Sequence, residues 1–282
     1  MSYANFDFLS IINDFVQLNI FHDVCECKKT MKICKRSAAI DGYYFVCLCG
    51  KTKNIRKGSW LEKSHLSLSQ VFIVINLWSK NCELQTVEKL ASISSKTASK
   101  LNKFLYEVVL SMAEANSEPI GGKGKIVEID ESKFGRRKYN KGHKVDGVWV
   151  FGGVERDSRR SFMAAVDKRD ELTLIPLIRK WIHPDTTIIS DCWAAYRKLE
   201  QYGYKHLTVN HSENFVDPTT GAHSNTVELY WCHVKKYLPS YNRRRKYFPC
   251  YLAKFVVIRN LKSDGKDVVK EILKGSSKFT SM

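Results

Sequence analysis

Three acidic residues far apart along the chain, Asp130, Asp191 and Glu228, have the types and settings to do chemistry together. Asp130 closes a short apolar run beginning at Lys125 (KIVEID), and Asp191 closes another, Thr186 to Ser190 (TTIIS). Glu228 lies in a helical pattern from Ser224 to Leu238. Carboxylates held at close range repel each other unless a cation bridges them. Hard oxygen ligands of this kind suit Mg²⁺ or Mn²⁺. Two such ions, roughly 3.5–4 Å apart, can clamp a phosphodiester, one activating water or a 3′-hydroxyl and the other stabilising the leaving oxygen. Taken singly, an Asp at a strand end is more often a turn former or helix cap, and a lone helical Glu is more often solvated. Only the joint placement, two strand ends and a helix, points to chemistry.

A second set of residues is sulfur-based. The chain has nine cysteines, five of them between Cys25 and Cys49. The odd count and the clustering suggest a local metal site in a reducing compartment and not a secreted disulfide framework. Cys25 and Cys27 form one Cys-x-Cys pair, and Cys47 and Cys49 form another. Four thiolates can hold a structural Zn²⁺; the competing reading is free thiols. Cys34 is a substitute ligand on the first reading, and Cys82, Cys192, Cys232 and Cys250 read as packing residues.

The elements that must position these groups divide the chain into three regions and a tail. Residues 1–62 carry an apolar segment, Phe6 to Phe21, and the cysteine cluster. That segment is broken by Asn13, Asp14 and Gln17 and has no preceding Lys or Arg, so it reads as a helix and not a signal peptide. No run of 18 apolar residues occurs, so no membrane span is expected. Residues 63–118 read as helical, with helical spacing over Leu66–Trp78, Leu84–Leu90 and Ser95–Val109. The tight turn at 91–94 followed by a longer helix fits a helix-turn-helix, with Lys96, Lys100 and Lys103 placed to face a DNA groove, and fits an ordinary helical hairpin equally well. Residues 123–262 alternate strands and helices: strands at 125–130, 147–155, 161–166, 186–190 and 206–209, and helices at 171–181, 193–202 and 224–238. Three consecutive strands followed by alternating helix and strand predict an α/β domain with a ribonuclease H-like mixed sheet flanked by helices. Residues 263–282 read as a loose basic tail.

On the last helix Val227, Tyr230, Trp231, Val234 and Leu238 form the apolar stripe. Glu228 borders that stripe, Asn225 lies one turn earlier, and Ser224 is suited to the N-cap.

The charge balance names the partner class. Lys and Arg total 46 against 29 Asp and Glu, a formal net charge of +17 with a pI near 9.4. Such a chain suits a polyanion, nucleic acid first and an anionic membrane surface second. Lys133, Arg136, Arg137, Lys138, Lys141 and Lys144 follow Asp130, while Lys235, Arg243, Arg244 and Arg245 follow Glu228. Charge runs are usually solvated faces, but these flank the acidic residues and are expected to contact DNA phosphates.

At this point a family resemblance is visible. Residues from about 124 to 260 resemble the catalytic domain of Merlin-type DDE transposases and their bacterial insertion-sequence relatives. It is carried by Glu128-Ile129-Asp130-Glu131-Ser132-Lys133-Phe134-Gly135, Trp149-Val150-Phe151-Gly152-Gly153-Val154, Ile189-Ser190-Asp191-Cys192-Trp193, His211 to Asp217 (HSENFVD), and His223 to Glu228 with Trp231. The resemblance implies an Asp-Asp-Glu triad at Asp130, Asp191 and Glu228, with Asn225 as the alternative third member. It further implies two Mg²⁺ or Mn²⁺ ions, double-stranded DNA as substrate (terminal inverted repeats and target DNA), a homo-oligomer working on paired ends, and a zinc ribbon near the N-terminus. Relatives carry Cys-x-x-Cys pairs there, whereas this chain has Cys-x-Cys. The expected activity is DNA strand cleavage and transfer. The alternatives are a domesticated, inactive DNA-binding descendant and a ribonuclease H-like nuclease. Genomic DNA as partner places the protein in the nucleus of a eukaryote, or otherwise in the cytoplasm at the nucleoid.

Overall fold

The computed structural model describes residues 8–115, 118–135, 147–210, 223–238 and 245–280. The chain forms two compact units, one made of the residues up to Ser111 together with those from Asp267 on, the other running from Met112 to Lys266.

In the first unit, α1 (Phe8–Gln17) precedes a three-stranded antiparallel sheet, β1 (Lys32–Lys35), β2 (Tyr43–Val46) and β3 (Thr52–Asn54), in the order β1-β2-β3. A buried ion pair closes the end of this sheet: Arg56 Nε and Nη2 meet the two Asp41 carboxylate oxygens at 2.6 and 2.5 Å. The same guanidinium donates to the carbonyls of Ser64 and Leu66, fixing the chain entering the next helix. Removing either partner would strand a buried charge, at a cost of about 3–5 kcal/mol.

Helices α2 (Leu68–Ser79), α3 (Leu84–Ala91) and α4 (Ser95–Ala115) follow. Helix α2 starts in a capping box, Ser67 accepting from the Gln70 N–H while the Gln70 side chain accepts from the Ser67 N–H. Helix α3 ends on Ser92 in the left-handed conformation, and the Ser94 hydroxyl caps α4 through Thr97 N–H. The tight turn expected between these helices is therefore present. Helix α8 (Val268–Ser276) belongs to this unit. It is capped by Asp267 and buries Ile272 and Leu273, so the segment read from sequence as a loose tail is helical.

The second unit is a mixed sheet between helices. Its five strands run in the order β10 (Lys205–Val209), β9 (Thr187–Asp191), β5 (Ile126–Phe134), β6 (Val148–Glu155), β7 (Ser161–Val166). Strands β5, β6 and β7 form an antiparallel meander, and β9 and β10 lie parallel to β5 on its other side. A small parallel pair, β4 (Ile120–Gly121) with β8 (Ile182–His183), stands apart from it.

Strand alternation sorts the side chains. Val127, Ile129, Phe151, Phe162 and Ile188 pack on one face with Leu174, Ile175 and Ile178 of α5 (Glu171–Trp181). Phe134, Val148, Val150 and Val154 pack on the other with α6 (Asn225–Tyr237) and α7 (Phe248–Ser263). The predicted stripe of α6 is the buried one: Val227, Tyr230, Trp231, Val234 and Leu238 are all interior. Each contributes about 1.5–3 kcal/mol by leaving water.

Two expectations need correction. The first strand does not end at Asp130 but runs on to Phe134. The helix expected over 193–202 is instead two short 3₁₀ segments, Ala194–Tyr196 and Leu199–Tyr202. Among the described residues no helix is long and apolar enough to cross a membrane.

Candidate active site

Asp130 lies mid-strand, opposite Gly152 of β6. On its other side the parallel pairing with β9 stops at Glu128 beside Ile189. Two residues further on, the same register sets Asp130 beside Asp191, with both side chains on the α6 face. Neighbouring strands are about 4.8 Å apart, so the two carboxylates are next neighbours. The strand end that matters is thus that of β9, where the ladder opens next to Asp130.

Helix α6 brings the third acid. Glu228 sits in its first turn, exposed, and accepts from the Ser224 hydroxyl at 3.2 Å. Ser224 occupies the N-cap position as expected, but its side chain makes no cap hydrogen bond. That role falls to Glu128, whose Oε2 accepts the Val227 N–H at 2.9 Å. Three residues after Glu228, the Trp231 indole donates to Asp130 Oδ2 at 3.0 Å. Gly152 makes room for that indole, because a Cβ there would lie 3.0 Å from both the Trp231 ring and the Phe162 carbonyl.

The electrostatics register the crowding. Burial pushes the Asp130 carboxyl up to about 6, and the charges of Asp191 and Glu228 push the same way against the Glu131 backbone N–H and the Trp231 indole. Burial likewise raises Glu131 to about 7, with Asp130 and Asp191 adding to it, although the Tyr196 hydroxyl donates to its Oε1. Asp191 Oδ1 accepts the Trp193 N–H at 3.0 Å. All the donors facing this end of the sheet from the acids are oxygens, and their mutual repulsion is what a divalent cation would relieve. The residues present therefore fit Mg²⁺ or Mn²⁺. Asn225 opens α6 on an exposed surface.

On the opposite face of β5, Arg169 lies between two indoles, 3.8 Å from the Trp149 ring centroid and 4.6 Å from that of Trp193. Trp193 Nε1 donates to the Arg169 carbonyl at 2.8 Å, and the Lys133 ammonium stands 5.5 Å from the Trp149 ring. Sequence reasoning missed Glu128, Glu131, Tyr196 and Arg169. The period-two alternation of β5 held the signal for Glu128, which must share a face with Asp130.

The cysteine centre is tighter. The ligand atoms of Cys25, Cys27, Cys47 and Cys49 all lie within 4.8 Å of each other, and no other such group of His, Cys, Asp or Glu occurs among the described residues. Sulfur separations are 3.6 Å for Cys25–Cys49, 3.4 Å for Cys27–Cys47 and 3.6 Å for Cys27–Cys49. A tetrahedron with Zn–S bonds of 2.3 Å has edges of about 3.8 Å, so the thiols fit zinc.

The two pairs sit in matching turns. Cys25 N–H donates to the Lys29 carbonyl as Cys47 N–H does to that of Lys51, and Lys28 and Gly50 each donate back to the first cysteine of their pair. Both turning residues are left-handed, Lys28 at φ 64° and Gly50 at φ 84°. This is how a Cys-x-Cys spacing can present both thiols to one point. The Cys49 thiol is lowered to about 7 by the Lys51 backbone N–H and the neighbouring thiols. Cys34 sits in β1 opposite Tyr44 and outside the cluster, so it is not a substitute ligand. Cys192 and Cys232 are exposed and so are not packing residues.

The basic candidates fall into two groups. Lys96, Lys100 and Lys103 are exposed on α4 at a spacing that shares one face, and Lys103 stands 3.9 Å from Glu107. Lys235 is exposed on α6 with its ammonium 6.0 Å from the Phe134 ring, and Lys133 is exposed on β5. Arg136, Arg137, Lys138, Lys141, Lys144, Arg243 and Arg244 lie outside the described residues, as does the stretch from His211 to Asp217. Arg245 begins a short 3₁₀ turn, Arg245–Tyr247, with its side chain outside the description.

Comparison with known proteins gives a family for the second unit. A protein named "Uncharacterized transposase-like protein" from Haemophilus influenzae is 28% identical over 119 residues, covering 41% of this chain and 94% of its own. A solved structure of a simian T-cell lymphotropic virus intasome in complex with PP2A regulatory subunit B56 gamma overlaps at 14% identity, over 66% of this chain and 68% of that one. Its TM-score of 0.32 is too low to bear on the fold. The ISXO2-like transposase domain matches residues 110–259, more than half the chain and the whole of the mixed sheet with its acidic residues; the chain belongs to that family.

Proposed function

We propose that the chain is an active DDE transposase of the insertion-sequence kind, cutting and joining DNA strands at the ends of a mobile element. The carrying observation is that Asp130 and Asp191 fall side by side on parallel strands while the Glu228 charge is felt at Asp130. Two divalent cations, when bound, would activate the attacking water or 3′-hydroxyl and stabilise the leaving oxygen. Asp130 and Asp191 would hold these ions between them, and Glu228 would complete the set from α6. Asn225, without a charge to offer, is the weaker third member. The strand order, a three-stranded antiparallel meander with two further strands parallel to its first, supports a ribonuclease H-like domain. The motif resemblance to Merlin-type relatives belongs to the same proposal.

The partner is double-stranded DNA, the terminal repeats and the target. Lys96, Lys100 and Lys103 supply one exposed basic row for its backbone, and Lys133 follows Asp130 on β5 as Lys235 follows Glu228 on α6, both exposed. The Cys25, Cys27, Cys47 and Cys49 thiols would bind one structural Zn²⁺, making the N-terminal sheet a zinc ribbon. Action on paired ends calls for a homo-oligomer, and genomic DNA as partner calls for the nucleus or, in a bacterium, the nucleoid.

The test is an oligonucleotide nicking and strand-transfer assay with Mg²⁺, comparing the wild-type chain with Asp191→Ala. Losing several kcal/mol of charge stabilisation predicts a fall on the order of 10³-fold. Equal rates reject the assignment. DNA binding without cleavage selects an inactive descendant, and cleavage without joining selects a nuclease.

A further inference from the structure

We propose that Glu128 is a positioning residue that sets Glu228 against Asp130 and Asp191, an inference resting on the acidic-site reading above. Glu128 is fully buried, and its two oxygens are divided between two tasks. Oε1 takes the Arg156 Nε–H at 2.6 Å, and Oε2 takes the Val227 N–H at 2.9 Å. Arg156 in turn donates through Nη2 to the His223 carbonyl at 2.6 Å and lies 3.2 Å from its Nδ1. The His223 ring also stands 3.8 Å from Glu128 Oε1. One carboxylate and its guanidinium thus grip both the chain entering α6 and the first turn of that helix.

The placement is specific to the acidic site. Glu128 and Asp130 are two residues apart on one strand and share a face, about 7 Å apart. Helix α6 is fastened to that strand twice, by Val227 N–H on Glu128 and by the Trp231 indole on Asp130. Glu228 is the residue immediately after the first fastening and three before the second. Successive helical residues differ by about 100° around the axis, so a small rotation of the first turn would swing Glu228 away from the other acids. A buried carboxylate serving stability alone needs only Arg156. The bond to the helix end, where backbone N–H groups lack partners, adds orientation.

The experiment measures Mn²⁺ binding by the full, zinc-loaded chain without DNA, alongside thermal melting. Outer groups that orient metal ligands typically change affinity 10–100-fold when removed. Glu128→Gln is expected to weaken Mn²⁺ binding by roughly 10-fold in the wild-type background. In a Glu228→Ala background the same change should have almost no further effect, because the route runs through Glu228. A lowered melting temperature with unchanged Mn²⁺ affinity overturns the proposal, as does an equal loss in both backgrounds. If Glu128→Gln does not fold, Arg156→Gln at the half-buried partner carries the same two-background test. A wild-type chain that binds no Mn²⁺ at all is a different result, which removes the acidic-site reading itself.

Discussion

The four thiols of the first unit lie within 4.8 Å of each other, whereas no carboxylate group among the described residues gathers that closely. The difference follows from charge and from chain distance. Thiols can stay neutral without a metal, so they can converge first, and here two matching turns, one closed by the Val24–Thr30 bridge and the other joining β2 to β3, bring them there. Carboxylates are anions near neutral pH and resist convergence. Asp130, Asp191 and Glu228 come from two strands and a helix held by separate contacts, close enough that the charges of Asp191 and Glu228 add to the burial that raises Asp130. One cluster is already convergent, and the other is spread over separate elements with its charges in mutual repulsion.

That contrast can be broken at its strongest point by stripping zinc. A structural zinc contributes on the order of 10–16 kcal/mol of apparent binding free energy in small domains. Chelation, or Cys27→Ser, is expected to remove about one equivalent of zinc and to open residues 23–57 to protease. A chain purified without zinc, or one keeping its protection when stripped, would place the thiols on the same footing as the acids.

A smaller effect should appear in the pH dependence of stability. Asp130 and Glu131 titrate at about 6 and about 7 when folded, above their ordinary values. Between about pH 4 and about pH 7 the folded chain therefore holds more protons than the unfolded one. The stability this confers is full below the unfolded values and is lost as pH rises through the folded ones. The limiting size for Asp130 is on the order of 3 kcal/mol. Melting of the zinc-loaded chain should thus show Mg²⁺ raising the midpoint near pH 8 and having little effect near pH 5. Equal shifts at both would mean that the acids are not under mutual repulsion.

The smallest effect isolates a single donor. Trp231→Phe keeps the ring against Gly152 and removes the N–H that draws the Asp130 carboxyl down. Hydrogen bonds to charged groups contribute about 1.5–3 kcal/mol. The acidic limb of the pH–rate profile should move up and nicking should slow by about 10-fold. An unmoved profile would reduce the indole to packing.

Much of this was legible in the chain itself. Short apolar runs on either side of a polar turn marked β6 and β7, and the three- and four-residue stripe from Val227 to Leu238 marked α6 with its buried face. Helix α7 left no such mark: Phe248, Leu252, Phe255, Val257, Ile258 and Leu261 bury it on several sides, so no single stripe shows. The end of β5 is hidden in the sequence because Glu131 and Lys133 look like the start of a polar loop, although they are the strand's other face. Glu128, in the same motif, is silent in the sequence because a carboxylate inside an apolar run has no visible partner until Arg156 and the α6 backbone fold against it. Register between β5 and β9 depends on pairing across more than fifty residues, which local pattern does not encode.

The guanidinium of Arg169, held between Trp149 and Trp193, cannot swing across the strand to neutralise Asp130. On that side of β5 Arg169 acts on the Glu131 carboxylate, with Lys133 beside it over the Trp149 ring. Asp130 faces α6 instead, where its close donors are the Glu131 backbone N–H and the Trp231 indole. Neither donor carries a full charge, so full neutralisation of Asp130 is left to a proton or a cation from solvent.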